Sequence, residues 1–395
     1  MRIRHLLTNA EKKARIIYHD WRHINYLSQL VKQQQATSSL GEFKVKYLNK
    51  PGIAFSFDDS FRVDGWYDTL RELFGYYDIK ATFNVNAFHH FEGQREHTQE
   101  EIDKLIELQA HGHEIAHHTF KHNNSVDYTN LHGVQAWITD EIEPLFNWLE
   151  NQQHSVTEEK FKRPVTFAFP YYRKDERTIE GISPKYFKAV RGGGHNELVI
   201  PFNKTGYIPS LGIDQINLSH PRFLKNLLKE IKQTEKNLVF TCHSVLPKHI
   251  DWDSFDYGEE ALDAGKYRIT PETLEFVIKE AKKNDLEFYT TAEIVGVATF
   301  IDRNFEKHIR KLLTISNDRW ILIKDLLKIK ELDLSNQDIT NLDGIQYFLN
   351  LETLVINLNY IKDLRLLNKL QNLKHVIDSS STPNKGLDAS VTSGL

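Results

Sequence analysis

Two adjacent carboxylates, Asp58-Asp59, directly follow the apolar run Gly52 to Phe57. Such a pair is expensive to place at a strand end without a cation or a reaction to serve, because each buried charge loses its hydration. Successive residues leaving a strand point to different sides, so the two can take different tasks. One is free to complete a metal site, the other to face a substrate as a general base. A turn or helix N-cap built on the pair is the alternative. In His118-Thr119-Phe120-Lys121-His122 two imidazoles stand four residues apart. On a helical turn that spacing puts both on one face, within reach of one ion. The chain holds 19 His, and His111, His113, His117 and His118 crowd this segment, so a solvated or structural histidine cluster competes. His243 ends the run Leu238 to Cys242. It is available as a proton donor where it is not a ligand, or it is a satisfied core histidine.

These side chains need a frame, and the sequence offers one. Six strand-like runs each end in a polar residue suited to catalysis or metal binding. Gly52 to Phe57 ends in Asp58-Asp59, Ala81 to Val85 in Asn86, and Glu114 to His117 in His118. Val165 to Phe169 ends in Pro170-Tyr171, Phe187 to Val190 in Arg191, and Leu238 to Cys242 in His243. Helical stretches separate most of the runs, which implies parallel strands joined by crossovers and sharing one carboxyl rim. Thr98 with Glu101 forms a capping box ahead of Ile102, Leu105, Ile106 and Leu108, and Gly112 closes that helix. Thr270-Pro271 starts another. Leu286 to Thr290 makes a seventh strand, giving an α/β fold with a distorted (β/α) barrel of about seven strands. Chemistry gathered on one rim is the habit of barrel enzymes.

The chain of 395 residues has room for such a barrel and a smaller partner. Its net charge of −4 argues against a general polyanion binder, so no nucleic acid partner is expected. The lone Cys242 excludes an intramolecular disulfide and suits a reducing, cytoplasmic setting. No run of 18 or more apolar residues marks a transmembrane helix. The first 35 residues carry a charge of +5, and Leu7, Ala10, Ala14, Ile17, Trp21, Ile24 and Val31 follow helical spacing. This reads as an amphipathic helix packed on the main domain, with a membrane surface or a partner as the alternative contact. Beyond Lys328, Ile329, Leu332, Leu334, Ile339 and Leu342 recur 22 residues later as Leu351, Leu354, Ile356, Ile361 and Leu364. A third copy starts with Leu373 and Val376, and Asn359 holds the turn position that Gln337 holds in the first copy. These are marks of a leucine-rich repeat. The expected division is an N-terminal helical segment over 1–45, a barrel over 46–300, a helical cap or linker over 301–328, repeats over 329–380 and a disordered tail over 381–395. A chain ending near Phe300 is then expected to keep the active site.

Phe57-Asp58-Asp59-Ser60, Gly112-His113-Glu114 running into His118-Thr119-Phe120-Lys121-His122, Phe169-Pro170-Tyr171 and Thr241-Cys242-His243 share an order and approximate spacing with a known family. Over about residues 50 to 295 the chain resembles the NodB-homology polysaccharide deacetylases. The resemblance implies metal-dependent hydrolysis of an N-acetyl, less often O-acetyl, group on a sugar. It implies Asp58 as general base, Asp59, His118 and His122 as metal ligands, Tyr171 as donor of an oxyanion-holding backbone NH, and His243 as general acid. Pro170, Tyr172 and Asn86 are the expected substrate contacts. The cofactor expected is one divalent ion, zinc first, with cobalt, nickel or manganese as substitutes.

The chain also departs from the family pattern. Ala168 stands where an arginine usually orients the base, and Tyr172 replaces a common glycine. Arg191 could supply that charge from the next strand, or simply form a salt bridge. Asp214 is the stand-in for a tryptophan-bearing fourth motif, and His117 takes a position often filled by asparagine. The expected partner is an acetylated sugar or glycan, with a protein partner possible through the repeats. An amide or imide hydrolase on a small non-sugar molecule, and a non-catalytic scaffold, are the rival functions.

Overall fold

The computed structural model describes residues 48–380 apart from 49, 93, 194–205, 218, 256, 258–263, 359 and 362, together with Lys13, Ala14, Ile17, Tyr18, Trp21 and the pair Leu387–Asp388. Most of the disordered tail expected over 381–395, the turn residue Asn359 and most of the N-terminal helix fall outside the described residues, but the tail pair Leu387–Asp388 is a short strand antiparallel to His375 and Val376 and is not disordered. Ile17 and Trp21, two apolar positions of that helix, are 68% and 62% exposed, so they are not packed on the main domain. Among the described residues no helix is long and apolar enough to cross a membrane.

Seven parallel strands close into a barrel. They are β1 (Gly52–Phe57), β2 (Thr82–Val85), β3 (Glu114–His117), β4 (Thr166–Ala168), β5 (Ala189–Gly193), β6 (Gly206–Gly212) and β7 (Leu238–Cys242). Closure is the pairing of β1 with β7, where Phe57 lies opposite Cys242. The ring is distorted at its β3–β4 seam, which holds the single pair His117–Phe167. Nearly every strand residue is buried, as expected where helices cover the outside and side chains fill the inside.

The seventh strand is not the one expected from sequence. The run near Leu286 forms only β10 (Glu287–Phe288), which pairs with the first half of β1 at Gly52 and Ile53. The second half of β1 pairs with β2 at Ser56 and Phe57. The seventh place in the ring belongs instead to β6, whose sequence Gly-Tyr-Ile-Pro-Ser-Leu-Gly carries glycines and a proline that hide a strand from propensity reading. Between β7 and β10, the short strands β8 (Ser244–Val245) and β9 (Arg268–Ile269) pair in parallel just beyond His243.

The helix Gln99–Ala110 carries the full capping box of Thr98 and Glu101, and Gly112 at φ 90° follows its end. Thr270 caps the helix Pro271–Lys283. The stretch expected as one helical cap is two pieces, Arg303–Leu313 and Ile323–Leu326.

C-terminal to these lie three parallel strands, β11 (Glu331–Asp333), β12 (Thr353–Ile356) and β13 (His375–Asp378). Glu331 stands opposite Thr353, and Thr353 opposite His375, so the pairing follows the 22-residue period. Leu332 and Leu354 point inward and are buried. Their core is continuous with barrel residues: Ala54, Ile208 and Val239 join Ile294, Phe305, Ile323, Leu334 and Phe348 in one apolar cluster.

Candidate active site

The C-terminal ends of β1 and β3 bring three side chains together. Asp59, His118 and His122 place their ligand atoms within 4.8 Å of one another. One oxygen of Asp59 lies 3.1 Å from His118 Nε2 and 3.0 Å from His122 Nε2. The two histidines do not ride a helical turn as their spacing suggested. The segment is a loop with left-handed backbone at Thr119 (φ 66°) and His122 (φ 61°), and Asp59 has φ 67°. Non-glycine residues keep such conformations only where surroundings hold them, and here they aim three donors at one point. His118 Nδ1 lies 2.8 Å from the Ala168 carbonyl. A carbonyl only accepts, so Nδ1 carries a ring hydrogen, and Nε2 is the nitrogen that would offer its lone pair to an ion in place of its hydrogen bond to Asp59. Burial alone would raise the Asp59 pKa, but His122 and the hydrogen bonds of His118 and His122 hold it well below the usual carboxylate range. Lone pairs converging in this way fit a divalent cation of mixed nitrogen and oxygen preference.

Asp58 faces the other way, into the barrel. Arg191 Nη2 reaches both of its oxygens, at 2.5 Å to Oδ2, while Asn84 Nδ2 donates to Oδ1 at 2.8 Å. Arg191 is not at the end of its strand but in the middle of β5, with its side chain inside the barrel and 1% exposed. Its other nitrogen, Nη1, donates to Ser210 Oγ at 3.1 Å and Thr241 Oγ1 at 2.9 Å. Burial disfavours the Arg191 charge, but Asp58 beside it more than compensates and its pKa is raised. The register places Ala168 directly opposite Arg191. A small side chain there leaves the interior to the guanidinium.

His243 sits across the mouth, with Nδ1 2.6 Å from Asp214 Oδ2 and Nε2 3.9 Å from the second oxygen of Asp59. Asp214 Oδ1 also accepts from the His243 backbone N–H at 3.2 Å. Burial works against the imidazolium, but the Asp214 carboxylate pushes the His243 pKa up to about 9.

The remaining expected residues have mixed fates. Tyr171 is 64% exposed, with its ring centroid 4.6 Å from that of His122. Tyr172 packs against Gly193 and stands 5.8 Å from the Arg191 guanidinium. Pro170 is buried and opens the turn that presents both tyrosines. Asn86 does not face the cleft. It is fully buried, and its Nδ2 donates to the carbonyls of His118 and Thr119, so it fastens the histidine loop from below. His117 is also internal: Nε2 meets the Ile142 carbonyl at 3.0 Å, and burial lowers its pKa to about 3.

Sequence reading missed Asn84, Ser210, Thr241 and His90, the last with its ring 4.4 Å from that of His122. A signal was present for Asn84. Along β2, Thr82 and Asn84 alternate with Phe83 and Val85, and a polar set at period 2 marks the inward face of a barrel strand.

Residues 45–189 match the family model described as "Polysaccharide deacetylase". No curated protein matches the chain. Among solved structures, the chitin deacetylase of the fungal pathogen Colletotrichum lindemuthianum is 16% identical, with 64% of this chain and 91% of that one covered and a TM-score of 0.38. The Xyl-CE4 domain of a multidomain xylanase from the hindgut metagenome of Trinervitermes trinervoides is 15% identical, covering 62% and 90%, at 0.35. A CE4 family pseudoenzyme from Bacillus anthracis is 13% identical, covering 62% and 66%, at 0.36. The match thus places the similarity to polysaccharide deacetylases on residues 45–189, from just before β1 to the start of β5.

Proposed function

We propose that this protein removes N-acetyl groups from a sugar or glycan precursor, with one divalent ion, zinc first, held by Asp59, His118 and His122. The observation that carries this reading is the division of labour between adjacent aspartates: Asp59 is turned to two imidazoles and Asp58 to a guanidinium. A bound cation would lower the pKa of a water and polarise the acetyl carbonyl. Asp58 is the base in this proposal. Its Oδ1 already accepts from Arg191 and Asn84, whereas Oδ2 accepts from Arg191 alone, which leaves Oδ2 a lone pair for the incoming proton. Arg191 acts as a positioning residue, fixing the carboxylate together with Asn84.

His243 is the acid. Its Nδ1 is committed to Asp214, so Nε2, turned toward Asp59, carries the proton that the departing amine requires. The backbone NH of Tyr171, on the left-handed turn beside His122, is the proposed oxyanion donor. Acetate release from a panel of N- and O-acetylated sugars, with zinc, cobalt, nickel or manganese supplied in turn, tests the reading. Release from an N-acetylated member is expected. Release from none of them under any metal sinks it.

A further inference from the structure

One side chain at the mouth has no part in the chemistry above. Tyr267 is 41% exposed, and its ring meets that of His243 nearly edge-on at 64°, with centroids 5.3 Å apart. Its backbone is anchored twice. The Tyr267 carbonyl accepts from Ser244 N at 3.3 Å at the β8–β9 pairing, and its N–H donates to the Ala264 carbonyl at 2.9 Å. The turn just before it lies flat on Trp252, since a Cβ at Gly265 would come within 2.6 Å of the indole. Trp252 in turn packs in a buried cluster with Phe61 and Leu246, and Phe61 follows the metal-site aspartate by two residues. A half-buried phenol ring with part of its surface open to solvent is therefore anchored through its backbone beside the proton-delivering imidazole. Across the mouth the exposed ring of Tyr171 stands beside His122.

An aromatic face kept in water gains by covering apolar surface, and a pyranose ring offers such a surface in its axial C–H groups. We propose that Tyr267 is a substrate-positioning residue whose ring stacks on the pyranose carrying the acetylated nitrogen, or on the unit next to it. This rests on the deacetylase reading and narrows its substrate to a saccharide ring with one open C–H face, in preference to a small acyclic amide. The hydroxyl is not needed for stacking. The ring is.

The test uses the full chain and the N-acetylglucosamine tetramer as probe. Binding is measured calorimetrically without metal, and acetate release with zinc, cobalt, nickel or manganese in turn, for the wild type, Tyr267→Ala, Tyr267→Phe and Tyr267→Trp. The expected result is a rise of about tenfold in Kd and KM for the alanine variant, with kcat kept within about threefold and affinity restored by Phe or Trp. Unchanged KM and Kd in Tyr267→Ala overturn the inference and leave the deacetylase reading standing. A fall in kcat with a shifted alkaline limb and unchanged KM also overturns it, because Tyr267 would then act only through His243. Tyr267-dependent binding without acetate release under any metal keeps the inference and removes the deacetylase reading. Neither binding nor release in the wild type removes both.

Discussion

At the scale of single residues, each member of the cleft has a partner that limits what it can do. Removing either imidazole of the triad leaves a two-ligand site, so His118→Ala and His122→Ala are each expected to lose most of the bound metal in elemental analysis of the purified protein. Metal retained at wild-type stoichiometry in both would place the ion elsewhere. Asp58→Asn should keep the metal and lower turnover by roughly 10² to 10⁴, the usual share of general acid-base catalysis. It also leaves the buried Arg191 charge without its carboxylate, so thermal stability must be measured alongside and is expected to drop. An Asp58→Asn protein with full turnover would remove the base.

His243 gives a pH prediction with a definite sign. Its folded pKa, about 9, lies above the ordinary 6.5. The stabilisation by its Asp214 contact is therefore complete below about pH 6.5 and is lost as pH rises through 9. In metal-free protein, the stability gap between wild type and His243→Gln should narrow by about 3 kcal/mol at most between pH 6 and 9.5. A gap that widens with pH would show that the pair is not charged as described.

At the scale of elements, strand β3 and its approach hold two buried neutral imidazoles. Burial lowers both His113 and His117 to about 3, with neighbouring charges adding to it. The unfolded chain takes up protons below about pH 6.5 that the folded chain refuses until far lower. Stability should fall with acid by up to about 1.4 kcal/mol per pH unit for each of them. Urea midpoints followed from pH 7 to 5 should fall less steeply for His117→Gln than for the wild type. Identical slopes would mean that His117 titrates normally.

The neighbouring strands β4, β5 and β7 show how one small residue sets a site. Ala168 stands in register with Arg191, so the guanidinium reaches Asp58 and is held by Ser210 and Thr241 from the strands beyond.

At the scale of the whole molecule, the C-terminal unit is fused to the barrel floor. Lys80, two residues before β2, pairs with Asp343 at 2.6 Å, and both are largely buried. Tyr347 donates to Glu293, and a Cβ at Gly344 would collide with Phe300. Cutting the chain at Phe300 would remove Phe305, Ile309, Ile321 and Ile323 and expose the barrel residues of the same cluster, Ala54, Ile208 and Val239 among them. Such a chain is expected to lose cooperative unfolding in circular dichroism, although Asp58, Asp59, His118, His122 and His243 all lie upstream. Asp343→Ala, which strands the Lys80 charge, should cost about 3–5 kcal/mol in urea unfolding. A cost under about 1 kcal/mol would show that water reaches the pair.

By itself the sequence determined the parts governed by local pattern: the strands Gly52–Phe57, Glu114–His117 and Leu238–Cys242, the capping box at Thr98, and the 22-residue period that later aligns Glu331, Thr353 and His375. Short apolar runs buried on both faces and side-chain caps act over a few residues, so they can be read without a fold. Which polar residues meet was decided only by tertiary structure. His118 and His122 converge through left-handed loop residues and not through helical spacing. Asn86, at a strand end like the others, turns inward to hold that loop. Asp214 depends on β6, a strand that its glycines and proline conceal and that exists because barrel closure pairs it with β5 and β7. Contacts such as Arg191 with Asp58 span 133 residues, and their geometry follows from the shear and register of a closed sheet, which no local pattern encodes.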